Sequence, residues 1–121
     1  MTPTFVCGQI ILGVQSQNGD KFSFTIYNSS AFTATVDGVF LSWGSNGDAT
    51  QIDMTPARSG YIATLWSGSL STPGLISVFN PNADLEIAPN QTKTMTITLS
   101  GNHNKEIFTV YFTSGCSMTA P

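Results

Sequence analysis

The feature that most constrains this chain is a strict two-residue alternation of large apolar side chains with Ser or Thr. Phe22, Phe24 and Ile26 alternate with Ser23 and Thr25. Met95, Ile97 and Leu99 alternate with Thr94, Thr96 and Thr98, and Phe108, Val110 and Phe112 with Thr109, Tyr111 and Thr113. In a strand, successive side chains point to opposite faces, so each run describes a strand with one buried face and one wet face. No window carries an apolar period of 3.6 residues over the length of a helix. Adding Leu41 and Trp43, which share parity, gives the expected centre of a core: Phe22, Phe24, Ile26, Leu41, Trp43, Met95, Ile97, Leu99, Phe108, Val110 and Phe112.

Turn chemistry divides the rest. Gln17-Asn-Gly-Asp20 sits between a strand over 9–14 and the strand over 22–26, and Asn-Gly between strand residues is a hairpin signal. Residues 33–43 read as one strand interrupted at Asp37-Gly38. A bulge there keeps both Val36 and Val39 on the core with a shifted register. Residues 49–54, 60–66, 75–79 and 84–87 are shorter strands, and Pro56, Pro73, Pro81 and Pro89 fall between them. Ser100–Lys105 is turn-like, so 92–99 and 106–113 read as an antiparallel hairpin. Eight or nine short strands in 121 residues predict a single all-β domain, an antiparallel β-sandwich of immunoglobulin-like type.

Charge narrows the partners. Charged residues are 9% of the chain, against roughly 25% in an ordinary globular protein. Ser and Thr together number 30, and the net charge is -3. A nucleic-acid binder needs a basic face, and a membrane-surface module a polybasic one; neither is present, so no nucleic-acid or direct membrane contact is expected. Cys7 and Cys116 lie near the two ends and allow one intramolecular pairing. A bridge is expected, with two buried thiols as the alternative. Closing so long a loop constrains the unfolded chain by about 4–5 kcal/mol in the chain-entropy model and implies an oxidising compartment. The expected domain is 7–116. Residues 1–6 and 117–121, with Thr2-Pro-Thr4 and Thr119-Ala-Pro121, read as the beginnings of Thr/Pro linkers to flanking domains. The chain is read as a piece of a longer exported protein, extracellular or at the cell surface.

A resemblance rests on an ordered set of motifs between Cys7 and Cys116. Phe22–Ile26 runs into Asn28-Ser-Ser30; Leu41-Ser-Trp43 and Trp66-Ser-Gly68 follow; Ile87-Ala-Pro-Asn90 leads into the Thr92–Leu99 strand. With these, the chain resembles secreted bacterial β-sandwich domains related to the family-2 carbohydrate-binding modules, and similar Thr/Ser-rich modules of bacterial surface proteins. The resemblance implies a sandwich on Thr/Pro linkers. It departs in its aromatics: the cellulose-binding members carry a flat exposed row, whereas Trp43 here shares parity with Leu41 and is expected to point inward.

Candidate chemistry is sparse. His103 is the only histidine and lies in the 101–104 turn, and no nucleophile elbow is present, so no enzyme activity and no cofactor are expected. Asn46, Asp48 and Asp53 are weak oxygen ligands for calcium, on a spacing that fits no EF-hand. Asn28-Ser-Ser30 and Asn90-Gln-Thr92 match the N-x-[ST] acceptor pattern at strand ends, where both are expected to be accessible. Trp66 and Tyr61 are the candidate sugar-binding rings, although five residues apart they fall on opposite faces of one continuous strand. Two functions remain. One is a non-catalytic structural or interaction module of a surface or filament protein, contacting other protein chains. The alternative is a carbohydrate-binding module of a secreted polysaccharide-active enzyme.

Overall fold

A computed structural model describes residues 7–44, 47–101, 104–113 and 115–120, with the side chains of Cys7, Asn104 and Lys105 outside the description. A short 3-10 turn, Cys7–Gln9, leads into the first of eleven strands among the described residues. In chain order these are β1 (Ile10–Leu12), β2 (Ser16–Asn18), β3 (Lys21–Asn28), β4 (Ala34–Gly44), β5 (Asp48–Thr55), β6 (Thr64–Leu70), β7 (Gly74–Ile76), β8 (Glu86–Ile87), β9 (Thr92–Ser100), β10 (Asn104–Phe112) and β11 (Ser117–Thr119).

The strands form two antiparallel sheets. The first runs β1-β3-β9-β5-β6, with β2 also on β3; the second runs β11-β10-β4-β7, with β8 also on β4. β1 and β2 are two halves of one edge, paired with opposite ends of β3 and separated at Gly13. Gly13 still donates its N–H to the Thr25 carbonyl at 2.8 Å, and a Cβ at Gly13 would collide with Thr25 Oγ1. The expected hairpin turn between β2 and β3 is present, with Gly19 at φ 63°. All four prolines named above lie outside the strands.

Two of the bulges reset the alternation of central strands. β4 is one unbroken strand, paired with β10 as Tyr111–Gly38 and then Phe112–Val36, so Asp37 is the extra residue. Before it Ala34 and Val36 face inward; after it Val39, Leu41 and Trp43 do. A second bulge places Thr50 between the pairs Ala49–Leu99 and Gln51–Thr98, and the inward set changes from Ala49 to Ile52 and Met54. Each extra residue bends its strand and flips parity, so the apolar set stays on the core over a long strand.

Three expectations need correction. There are eleven strands rather than eight or nine, because the edges are built from pieces of two or three residues. The segments 92–99 and 106–113 are strands but not a hairpin. β9 lies between β3 and β5, whereas β10 lies between β4 and β11 in the other sheet. Their apolar faces meet across the core: the Phe108 ring is 5.7 Å from Phe22 and 6.3 Å from Phe24, centroid to centroid. The C-terminal stretch is also more than linker. Ser117–Thr119 pair with β10, and Ala120 is buried, its N–H on the Phe108 carbonyl at 2.9 Å. Residues 1–6, the other expected linker, lie outside the described residues.

All eleven expected core residues are buried, joined by Ile10, Leu12, Ala34, Val36, Val39, Ile52, Met54, Leu65, Ile76 and Ile87 among others. Trp43 points inward as expected and donates its indole N–H to the Gly47 carbonyl at 2.8 Å, which satisfies its polar end. Phe24 stacks on Phe108 between the sheets. Phe24→Ala is therefore expected to cost about 3–5 kcal/mol. A urea titration checks this, and an unchanged midpoint would contradict the packing described.

Candidate functional site

Two regions carry side chains that the core does not require. The first lies at the end of the sandwich where β3 and β5 finish and β6 and β9 begin. Lys93 belongs to the inward-facing set of β9, opposite Ile26, and is 1% exposed. An isolated ammonium there would carry a heavy desolvation penalty. Asp84, also fully buried, answers it: Lys93 Nζ donates to Asp84 Oδ2 at 2.7 Å. The same carboxylate accepts the Arg58 N–H on Oδ2 at 2.7 Å, Arg58 Nε on Oδ1 at 2.9 Å and the Glu86 N–H on Oδ1 at 3.2 Å. Arg58 reaches on to Glu86 Oε1 at 3.0 Å and lies 4.0 Å over the Tyr61 ring.

Burial by itself pushes the Asp84 carboxyl up. The Lys93 hydrogen bond, the N–H groups of Arg58 and Glu86 and the Lys93 charge outweigh it and hold the group below its ordinary value. The backbone around it is stitched to match. Ile62 N–H donates to Asn82 O at 2.9 Å and Asp84 N–H to Ile62 O at 3.0 Å, which joins the 56–63 and 80–86 segments. Beside them Asn28 is fully buried and fully bonded: its Nδ2 donates to Phe32 O and Ile87 O, and its Oδ1 accepts from Ser30 N and Oγ. Asn28 is thus a turn cap, and the expectation that it is accessible as an acceptor is corrected. Asn90 is exposed, at φ 61°.

The second region is the outer face of the second sheet. Its registered rows are Ser42–Ile107, then Leu75–Phe40–Thr109–Thr119, then Gly38–Tyr111–Ser117. Leu75, Ile107 and Tyr111 are 53%, 50% and 39% exposed. Leu75 lies over Gly38, where a Cβ would stand 3.1 Å from Leu75 Cδ1. None of these nine positions is charged; beyond the Asp37 bulge, the outward Thr35–Glu86 row of the same sheet carries a carboxylate. The outer face of the first sheet differs. Its rows are Lys21–Thr98–Gln51, Ser23–Thr96–Asp53 and Thr25–Thr94–Thr55, hydroxyl-rich and carrying both signs of charge.

The residues singled out from the sequence have different local settings. Tyr61 is exposed in the loop before β6, with Arg58 on one ring face. Trp66 pairs with buried Ile52 and packs a half-buried ring against the core, with Gly68 close beside it. Asp53 takes Gln51 Nε2 at 3.0 and 2.8 Å and Thr64 Oγ1 at 2.8 Å. Asp48 opens β5, while Asn46 and His103 lie outside the described residues. Cys116 is buried; the Cys7 side chain lies outside the description. Lys93, Asp84 and Arg58 were not among the expected site residues. The signal for Lys93 is its parity with Met95, Ile97 and Leu99. No family model and no curated protein matches this chain.

A folded-state carboxyl held below its ordinary value of 3.8 contributes stability that is complete above that value and is lost as pH falls through the folded one. The urea midpoint of the wild type is therefore expected to drop more steeply than that of Asp84→Asn as pH is lowered through and below 3.8. Asp84→Asn should also be destabilised at neutral pH by about 3 kcal/mol or more, because Lys93 is left buried without its counter-charge. Parallel pH slopes in the two proteins would assign the acid sensitivity elsewhere.

Proposed function

We propose that this chain is a non-catalytic extracellular module of a larger bacterial surface or filament protein, structural in itself and contacting other protein chains. The observation that carries this is the apolar centre of the second sheet's outer face, where three successive rows hold no charge. An interface centre is depleted in charge and enriched in aromatic and large apolar side chains, with a polar rim. Phe40, Tyr111, Leu75 and Ile107 among Ser42, Thr109, Ser117 and Thr119 have that composition. Exposed apolar faces on soluble domains mark contact sites more often than they mark nothing.

The resemblance to family-2 carbohydrate-binding modules keeps an immunoglobulin-like sandwich and an exported setting within this reading, with flanking domains reached through Thr/Pro linkers. A Cys7–Cys116 bridge belongs to it too. β1 and β11, the strands that follow the two cysteines, come within 8 Å of each other, Cα to Cα. An Ellman assay on denatured, unreduced protein is expected to find no free thiol; two per chain would remove the bridge and weaken the exported setting.

Carbohydrate binding ranks second, because Arg58 occupies one face of Tyr61 and the Trp66 ring is partly packed into the molecule. Affinity electrophoresis in gels of soluble polysaccharides is expected to show no retardation. Clear retardation that disappears in Trp66→Ala, with the circular dichroism spectrum intact, replaces this reading with that of a carbohydrate-binding module.

A further inference from the structure

We infer that the molecule is a mechanical bypass: a Cys7–Cys116 bridge carries tension between the two ends of the chain around the sandwich, so that the module keeps its length under load. The inference rests on the bridge and the tethered setting of the reading above, and adds what they do. It starts from the two end strands. β1 belongs to the first sheet and β11 to the second. Each is held by three register pairs, β1 on β3 and β11 on β10. The interior pairings β3–β9, β5–β9 and β4–β10 have seven each. A pull on the two ends of such a chain draws one short strand from each sheet and parts the sandwich along its β1–β11 side. By themselves, then, the chain ends are poor anchors for a tether.

The cysteines stand where that load enters. Cys7 opens the 3-10 turn that leads into β1, and Cys116, which is buried, directly precedes β11. β1 and β11 come within 8 Å of each other, Cα to Cα, and no free cysteine occurs among the described residues. That proximity fits a bridge, whose Cα atoms stand about 4.4–6.8 Å apart. With the bridge closed, the shortest covalent path enters at Cys7, crosses to Cys116 and leaves through residues 117–121. Residues 8–115, which are 108 of the 121, form a loop beside that path. After Cys116 the path runs along β11, and a strand already extended at about 3.3 Å per residue has little length to give. Tension therefore passes the core and the seven-pair strands by.

Single-molecule force spectroscopy, with handles joined to peptide tags at the two ends, tests this through the contour length of the loaded molecule. Unreduced, the protein is expected to keep the contour length of its folded form until the tether breaks. Dithiothreitol takes up the disulfide as its own cyclic disulfide and leaves two thiols on the chain. In its presence the loaded molecule should lengthen by about 36 nm, the span of the released loop at about 3.3–3.6 Å per residue. The Cys7→Ser, Cys116→Ser double variant should reach the same length without reductant, whether or not it is folded before loading. A gain of about 36 nm in unreduced protein that an Ellman assay shows to hold no free thiol overturns the inference alone. So does a reduced protein, its two thiols confirmed, that gains nothing. Two free thiols per chain before any reductant overturn it together with the bridge. The contact-module reading is decided separately, by polysaccharide retardation that depends on Trp66.

Discussion

A single ammonium group in the wrong place for a charge organises one end of this protein. Lys93 stands in the inward register of β9, the central strand of its sheet, where its neighbours along the strand are Met95, Ile97 and Leu99. That position is tolerable only with a counter-charge at hydrogen-bond distance. Asp84 provides it from a segment with no regular structure, and must itself be satisfied. It draws Arg58 N–H, Arg58 Nε and the Glu86 N–H onto its two oxygens. Two loops, joined to each other by the Ile62–Asn82 and Asp84–Ile62 backbone bonds, are tied to the core through one carboxylate. Replacing the pair with apolar residues of similar volume need not weaken such a protein. What the pair specifies is the position of the 56–63 and 80–86 segments, a result that apolar packing, being non-directional, does not give.

The rest of the molecule is specified with few charges. Thr and Ser carry the outer faces, which keeps β-propensity high without Lys and Glu. Register must then come from elsewhere. In a sheet a one-residue slip exchanges the two faces of a strand. Here the exchange occurs at fixed places, among them Asp37 in β4 and Thr50 in β5. Gly13 adds a third fixed point, where only a residue without Cβ lets the β1–β2 edge approach Thr25. These local features replace charge patterning as the means of choosing one pairing among several.

How much of this was legible follows from what alternation encodes. It encodes which side of a strand is buried, so Phe22, Phe24, Ile26, Met95, Ile97, Leu99, Phe108, Val110 and Phe112 were identifiable. The Asp37-Gly38 bulge was legible because Val36 and Val39 cannot both face inward without one. Alternation does not encode which sheet a strand joins. β9 and β10 look like partners because both are apolar on one side and adjacent in sequence, yet the same pattern serves two strands that face each other across a core. The Thr50 bulge left no comparable mark, since Ala49 is small and Gln51 is not apolar. Asp84 was hidden for another reason: its partners lie nine and twenty-six residues away, and nothing local distinguishes it from a turn aspartate. The setting of Trp66 was hidden for a similar reason: Leu65 is an extra residue in β6, between the pairs Ile52–Trp66 and Asp53–Thr64, which turns Trp66 toward the core.

The two outer faces then divide the surface by what water can do for each. On the first sheet most outward side chains, the exposed Ile11 at its edge apart, have a hydroxyl, amide or charge, and several bond among themselves: Ser23 with Thr96 at 3.1 Å, and Asp53 with Gln51 and Thr64. Such a face is content in water, and covering it would require a partner that replaces each bond. On the second sheet, Leu75, Phe40, Ile107 and Tyr111 leave apolar area wet, and any covering surface of matching twist gains free energy without needing to match hydrogen bonds one by one. The same β-sandwich therefore presents one outer face rich in hydrogen-bonding groups and one with more apolar area, while the buried Asp84 carboxylate fixes the loops at its end.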